Sequence, residues 1–478
     1  MRQLSAHDAS FLDADTVHAN SNVTFIQIYD QSTAPGGQVR FKTILAHIQS
    51  RLHRSPIFRS KLLHVPLGLD DPYWVEDEFF DLEYHVRHIA LPHPGDWRQF
   101  CIQASRIHAR ALDLQRPLWE IYVIEGLDSI TDLPPGSFAL LTKIHHAAID
   151  VESRNEFIEL LHDTTRRPPR HEPPEPWFPE RAPGALSLLS RAGLHLLLSP
   201  TRLLNPWRRR VPALAAFARD VLRPEHAMTA TRFNAVVSPH RVFDTRRFLR
   251  AEFDGIRGLV AGAGINDAVL AVCAGGLRRY LAAQAELPRA DLPAIVPLGM
   301  DGEMGRPSAS RRIGLGTHVE DPVERLAWIH GQTAAPRAPV AGPRPPLPCC
   351  TITHVPGPSA PVFLHGARMT YCSAILPIAD GMGLVFAVTD YGGRIVVSPT
   401  SCRELIPDPQ AFTQCLRDSF QEYLALARGV PLSLSPGPAS AGASASGTRS
   451  PAARSARTGA RPLQAAPGGR RRSTAPRR

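Results

Sequence analysis

Residues 1–165 alternate short apolar runs with stretches of helical spacing. Val23-Thr24-Phe25-Ile26-Gln27-Ile28-Tyr29 is rich in β-branched and aromatic residues and predicts a strand. From Phe41 to His53, Ile44, Leu45, Ile48 and Leu52 recur near helical spacing. A second helix is expected over Phe100 to Leu112. Strands are expected over Ile121 to Ile124 and over Ser137 to His145. Glu152 to His162 then carries Phe157, Ile158, Leu160 and Leu161 on one helical stripe. A strand, a short turn and a helix therefore surround His145-His146.

The pattern changes over residues 166–240. The segment begins with a proline-rich stretch that reads as an extended linker. Ala185 to Leu204 is apolar, interrupted by Arg191, His195 and Arg202, and is followed by Trp207 and Arg208-Arg209-Arg210. It reads as a crossover helix packed by its leucines, or as a basic amphipathic helix lying on an anionic lipid surface. Residues 241–430 return to mixed strand and helix. Asn266 to Ala283 predicts a strong helix, and Ala294 to Leu298 and Thr351 to His354 predict strands. Leu384 to Asp390 and Arg394 to Ser398 surround Tyr391-Gly392-Gly393, a hairpin with a glycine turn. Asp408-Pro409 opens a closing helix that runs to Arg428. The expected organisation is a first domain over 1–165, a linker with a crossover helix over 166–240, a second domain over 241–430 and a disordered arginine-rich tail over 431–478.

Composition adds two points. The 478 residues are 43% hydrophobic and 21% charged, as in a globular protein. The net charge of +10 is misleading, because residues 431–478 hold nine arginines and no acid. The remainder is nearly neutral, and the tail lacks the interleaved aromatics of a nucleic-acid binder, so no nucleic-acid partner is expected. No apolar run approaches the roughly 18 residues that span a bilayer, and Met1 to Asp8 lacks a signal-peptide core. A cytoplasmic location is expected. The seven cysteines show no CxxC pair, which supports neither a disulfide scaffold nor a zinc ribbon.

The sharpest chemical feature is His145-His146-Ala147-Ala148-Ile149-Asp150. A strand that persists through it sends the two imidazoles to opposite faces. A neutral imidazole suits proton abstraction from a hydroxyl near pH 7. Asp150 stands at the turn or first helical position, from which it can orient backbone or an arginine. The same string also fits two partly buried histidines bonded to backbone, or half of a metal site. No HExxH or Cys/His cluster accompanies it, so no metal is expected.

This string resembles the HHxxxDG signature of the CoA-dependent acyltransferase superfamily, which condensation domains of peptide synthetases share. Other segments narrow the resemblance. Leu4-Ser5-Ala6-His7-Asp8-Ala9-Ser10-Phe11-Leu12 is similar to an N-terminal LSxxDxxFL block. Pro117-Leu118-Trp119-Glu120 with Ile124-Glu125-Gly126-Leu127 is similar to a PLW block. Asn266-Asp267 with Leu277-Arg278-Arg279-Tyr280-Leu281 is similar to an ND block. Val355-Pro356-Gly357-Pro358 and Leu364-His365-Gly366-Ala367 are similar to the NVPGP and LxGA blocks, and Asp380-Gly381-Met382-Gly383-Leu384 and Pro407-Asp408 complete the order. Together they resemble the bacterial wax ester synthase/diacylglycerol acyltransferase family over about residues 1–428.

The resemblance implies a layered α/β fold of two chloramphenicol-acetyltransferase-like domains with a tunnel between them. It implies no cofactor, acyl-CoA as co-substrate, and diacylglycerol or a fatty alcohol as acceptor. His146 would be the general base, His145 its support, and Asp150 a shaper of the loop. Asn266 and Asp267 would start a helix facing the site or simply cap it. Pro117, Leu118 and Trp119 would bind substrate or support the site, Trp119 by core packing. A hydrophobic product fits peripheral contact with a lipid droplet or the inner face of the plasma membrane. Three departures stand out: Val151 replaces the signature glycine, His354 replaces the asparagine before Val355, and prolines over 335–348 stand where helix is expected. They open a second reading, a lipid-binding paralogue of the same fold with weak or no activity.

Overall fold

The computed structural model describes residues 1–149, 156–167, 177–198, 231–297, 310–335 and 347–429. The expectations for Asp150, Val151, the arginines after Leu198, most of the 335–348 connector and the 431–478 tail fall outside these residues.

In chain order the elements begin with β1 (Arg2–Gln3), α1 (Ala6–Ala14), β2 (Asn22–Asp30), α2 (Phe41–Gln49), β3 (Ser60–Leu63), β4 (Tyr73–Glu76), α3 (Leu82–His85) and β5 (Val86–Ala90). Next come α4 (Trp97–Ala109), β6 (Trp119–Glu125), β7 (Phe138–His145), α5 (Glu156–Leu161), α6 (Ala185–Leu198), β8 (Arg241–Phe243) and β9 (Arg246–Leu249). Then follow α7 (Arg250–Arg257), α8 (Ile265–Ala283), β10 (Pro293–Pro297), β11 (Ser310–Gly314), α9 (Pro322–Ala334) and β12 (Cys350–His354). The last are β13 (Phe363–Leu364), β14 (Ala367–Ile375), β15 (Val385–Tyr391), β16 (Arg394–Cys402) and α10 (Pro409–Ala427).

Two large sheets organise the molecule. One runs β13-β14-β2-β7-β6-β5, with β5 and β6 parallel and the other pairs antiparallel. The other runs β11-β10-β12-β15-β16-β8, with β9 also on β16, and is parallel at β10-β12-β15. A small β1-β4-β3 sheet stands beside them. The second half of the chain thus lends β13 and β14 to the sheet of the first half. β2 and β7 pair from Asn22↔His145 to Tyr29↔Phe138 and are buried nearly throughout. Ile26, Ile28 and Leu141 face Phe100, Ala104 and Ile107 of α4, while Val23, Phe25 and Ile144 join the core that continues into the second half. With both faces covered, the apolar runs are continuous rather than alternating.

The helices obey their local signals. Asp96 caps α4 through Gln99 N–H and closes a capping box, which starts the helix earlier than its apolar spacing suggested. Asp408 accepts from the N–H groups of Gln410 and Ala411 and starts α10. Gly276 of α8 lets α10 come close, since a Cβ there would lie 3.0 Å from Leu416 Cα. Gly392 and Gly393 both take positive φ, which forms the expected β15–β16 turn. α6 buries Leu188 and Ala192 on Val65 and Tyr73 but leaves Leu186 and Leu194 exposed, so it packs by one stripe only.

A buried seam joins β2, α2 and α5. The Tyr29 hydroxyl meets His162 Nε2 at 2.6 Å, while His162 Nδ1 bonds the Ile158 carbonyl. His47 bonds the Leu161 carbonyl at 2.8 Å, and Arg51 pairs with Asp163. Burial, reinforced by the Arg51 charge, pushes His47 and His162 down to about 4. Below pH ~6.5 the unfolded chain takes up protons that the folded seam refuses until about pH 4. Stability should therefore fall across that window, by about 1.4 kcal/mol per pH unit for each histidine. The urea midpoint at pH 5 is expected to lie clearly below that at pH 7; equal midpoints would contradict neutral, buried histidines.

Candidate active site

β7 ends at His145, and His146–Ala148 form a single tight helical turn. The ladder supplies the first constraint. His145 N–H donates to the Leu118 carbonyl at 3.0 Å, and His146 N–H donates to the Ser21 carbonyl at 2.8 Å. The two side chains then part, as adjacent strand residues do.

His145 is buried and its protonation follows from its partners. Its Nδ1 accepts the Ala147 N–H at 3.1 Å, so the ring proton sits on Nε2 and is donated to Asp15 Oδ2 at 3.0 Å. The other oxygen of Asp15 accepts the Ser21 N–H at 2.7 Å. One carboxylate at the end of α1 thus holds the His145 ring, which caps the turn, and the segment whose carbonyl holds the backbone of His146. The Ser21 hydroxyl adds a bond to the Phe11 carbonyl at 3.0 Å.

His146 is half-buried and stacks on Phe11 of α1, with centroids 3.9 Å apart at 16°. His7 meets the same Phe11 ring edge-on at 5.1 Å. Burial lowers the His146 pKa below its ordinary value, and the neighbouring His145 and His7 push the same way. The ring is therefore neutral at pH 7 and ready to accept a proton. Just past it, Ala148 and Ile149 enter the wall of a cavity of about 540 Å³. Phe25, Ile144, Ile158, Leu160 and Trp74 line it as well, while Arg2, Glu76 and Arg181 give it polar edges. This is the size and character of a small-molecule pocket.

The other residues singled out in the sequence take supporting positions. Leu118 backs the histidine pair with its carbonyl, and the Pro117 carbonyl accepts the Trp119 N–H at 2.8 Å. Trp119 is buried, bonds the Phe58 carbonyl at 3.0 Å through Nε1 and stacks on His85. Asp267 accepts from the Gly264 N–H and the Thr333 hydroxyl and meets His330 Nδ1 at 2.9 Å, which braces α8 against α9. Asn266 lines a second cavity, described below. Asp150 lies outside the described residues. Sequence reasoning missed Asp15 and Ser21; Phe11 stood in the LSxxDxxFL block without an assigned role. Among the described residues, no three His, Cys, Asp or Glu side chains group as metal ligands would.

Comparison with known proteins now decides the family. The profile of the wax ester synthase/diacylglycerol acyltransferase catalytic domain matches residues 4–269, and that of the family's C-terminal domain matches residues 345–423. The chain belongs to the wax ester synthase/diacylglycerol acyltransferase family. A Mycobacterium tuberculosis protein provisionally named diacylglycerol O-acyltransferase is 31% identical over 471 residues, which covers 89% of this chain and 90% of that one. Another of the same organism, provisionally given the same name, is 33% identical over 347 residues, 69% of this chain and 71% of its own. The wax ester synthase/diacylglycerol acyltransferase from Marinobacter aquaeolei VT8 shares the fold at 24% identity and a TM-score of 0.63, over 90% of this chain and 100% of that one. Within this family fold, the histidine pair sits at the end of a strand that its sheet neighbours hold on both sides.

Replacing Asp15 by asparagine leaves one acceptor oxygen where there were two, so the His145 Nε2–H and the Ser21 N–H, whose segment holds the His146 backbone, can no longer both be accepted. Asp15→Asn should lower kcat by about 10- to 100-fold with little change in KM, because positioning is lost and binding is not. Steady-state kinetics on folded variant, checked by circular dichroism, measures this; an unchanged kcat would remove Asp15 from the positioning network.

Proposed function

We infer that this protein is an acyl-CoA-dependent O-acyltransferase that esterifies diacylglycerol, with a long-chain alcohol as the alternative acceptor. The observation that carries the reading is the neutral His146 imidazole, stacked on Phe11 with its backbone N–H on Ser21, two residues before Ala148 in the wall of the cavity. The ring takes the proton of the acceptor hydroxyl as the oxygen attacks the thioester carbonyl. A tetrahedral oxyanion forms and collapses, the carbon–sulfur bond breaks, and CoA leaves as thiolate, which recovers the proton from the imidazolium. The apolar part of the wall, Phe25, Trp74, Ile144, Ile149, Ile158 and Leu160, suits a fatty chain. The names of the mycobacterial relatives favour diacylglycerol as acceptor. The His145 ring is bonded at both nitrogens, and His146 is held by its backbone N–H and by Phe11, an arrangement that favours turnover over a lipid-binding role without chemistry.

The acceptor and product are lipids, and we propose that the protein meets them at a lipid surface. Helix α6 supports this, with Leu186 and Leu194 exposed beside Arg191. No helix among the described residues is long and apolar enough to cross a membrane.

The test is release of CoA thiol from palmitoyl-CoA with diacylglycerol or hexadecanol, for wild type and His146→Ala. Acceptor-dependent release is expected, reduced by about 10²–10⁴-fold in the variant. The wild-type rate should fall on the acid side with an apparent pKa below the ordinary 6.5 of histidine. Undiminished release by His146→Ala would sink the assignment.

A further inference from the structure

A second cavity, of about 600 Å³, opens at the C-terminal ends of β12 and β15, and the reading above does not use it. Arg250 and Arg257 of α7, Asn266 of α8, His354, Gly357 and Asp390 form its walls. Arg257 pairs with Asp254 on its own helix at 2.9 Å, both half-exposed. A pair of that kind is weak and leaves the guanidinium able to serve a ligand. Arg250 is bound to Asp390, which cancels one positive charge of the cavity. Both ring nitrogens of His354 are buried with no partner among the described residues. Burial, and then the charge of Arg250, keeps that ring below its ordinary pKa. An imidazole placed so is costly unless the ring turns to bond a group in the cavity. Gly357 admits no side chain, since a Cβ would lie 2.6 Å from the Asp390 carbonyl oxygen, so the wall there is bare backbone. Gly264, Ile265 and Asn266, at the start of α8, line the same space.

The place of the cavity fits one end of a long substrate. Tyr391 in its wall donates its hydroxyl to the Met369 carbonyl at 3.1 Å. Met369 pairs with Tyr29, and the same β2 strand begins at Asn22, the partner of His145. At about 3.4 Å per residue, the wall stands on the order of 20 Å along the sheet from the histidine pair. That is the scale of an extended pantetheine arm.

We propose that this cavity seats phosphate groups and, resting on the acyl-CoA reading, that these are the phosphates of CoA. Arg257 would bond them directly, His354 would donate from one ring nitrogen, and the thioester would reach His146.

Full-length wild type, Arg257→Ala and His354→Ala are titrated calorimetrically with CoA, pantetheine and inorganic pyrophosphate. Turnover is measured with palmitoyl-CoA and with palmitoyl-pantetheine, which has no phosphate. CoA should bind more tightly than pantetheine. Arg257→Ala should raise the KM for palmitoyl-CoA about tenfold, with Arg257→Lys recovering part of the loss, and should not discriminate against palmitoyl-pantetheine. An unchanged palmitoyl-CoA KM in both alanine variants overturns the proposal. If pyrophosphate binding falls in the variants but the palmitoyl-CoA KM does not, the cavity serves another phosphate compound and the assignment to CoA is overturned. If no thioester is turned over by wild type while pyrophosphate binding still depends on Arg257, the acyltransferase reading fails and the phosphate site stands.

Discussion

One carboxylate ties the candidate site together. Asp15 ends the first helix and spends one oxygen on the His145 ring and the other on the Ser21 N–H. The ring it holds caps the turn at Ala147, and the segment it holds carries the carbonyl that fixes His146. A charged acceptor makes both bonds stronger than neutral ones. Neither histidine is set by its own strand alone: β7 delivers them, and α1 decides where they point.

The same helix also sets the protonation of His146. Phe11 lies flat against His146 and removes water from one face of the ring. Desolvation disfavours the imidazolium, so the ring stays neutral at a pH where an exposed histidine is partly charged. The C-terminal half contributes differently, through α8, whose burial all around makes it the spine of that half, with α9 and α10 packed along it.

Most elements were legible because their signals are local. Strands β2 and β7 announced themselves by β-branched and aromatic runs, and α10 by Asp408-Pro409 followed by apolar spacing. The histidine pair was legible from its signature string, and Phe11 stood in an N-terminal block; the cavity wall beside them was not legible. Asp15 was not, because 130 positions separate it from His145 and no periodicity links them. Asp267 shows the opposite case. The motif was visible, but its partners His330 and Thr333 lie on another helix, so a brace between helices and a helix end facing the site look alike in sequence. The pairing of β14 with β2 was equally hidden, since the register joins residues from opposite ends of the chain.

That pairing bears on how the chain is made. The Thr370 hydroxyl bonds the Ile28 carbonyl across 342 positions of sequence. During synthesis at roughly 5–20 residues per second, β2 leaves the ribosome some tens of seconds before β14 exists to cover it. For that interval one edge of β2, an apolar strand with unpaired backbone groups, lies open to any other strand. The nascent chain is then a candidate for mispairing with its neighbours, and shielding of that edge until the last quarter of the sequence emerges is part of the cost of building this site.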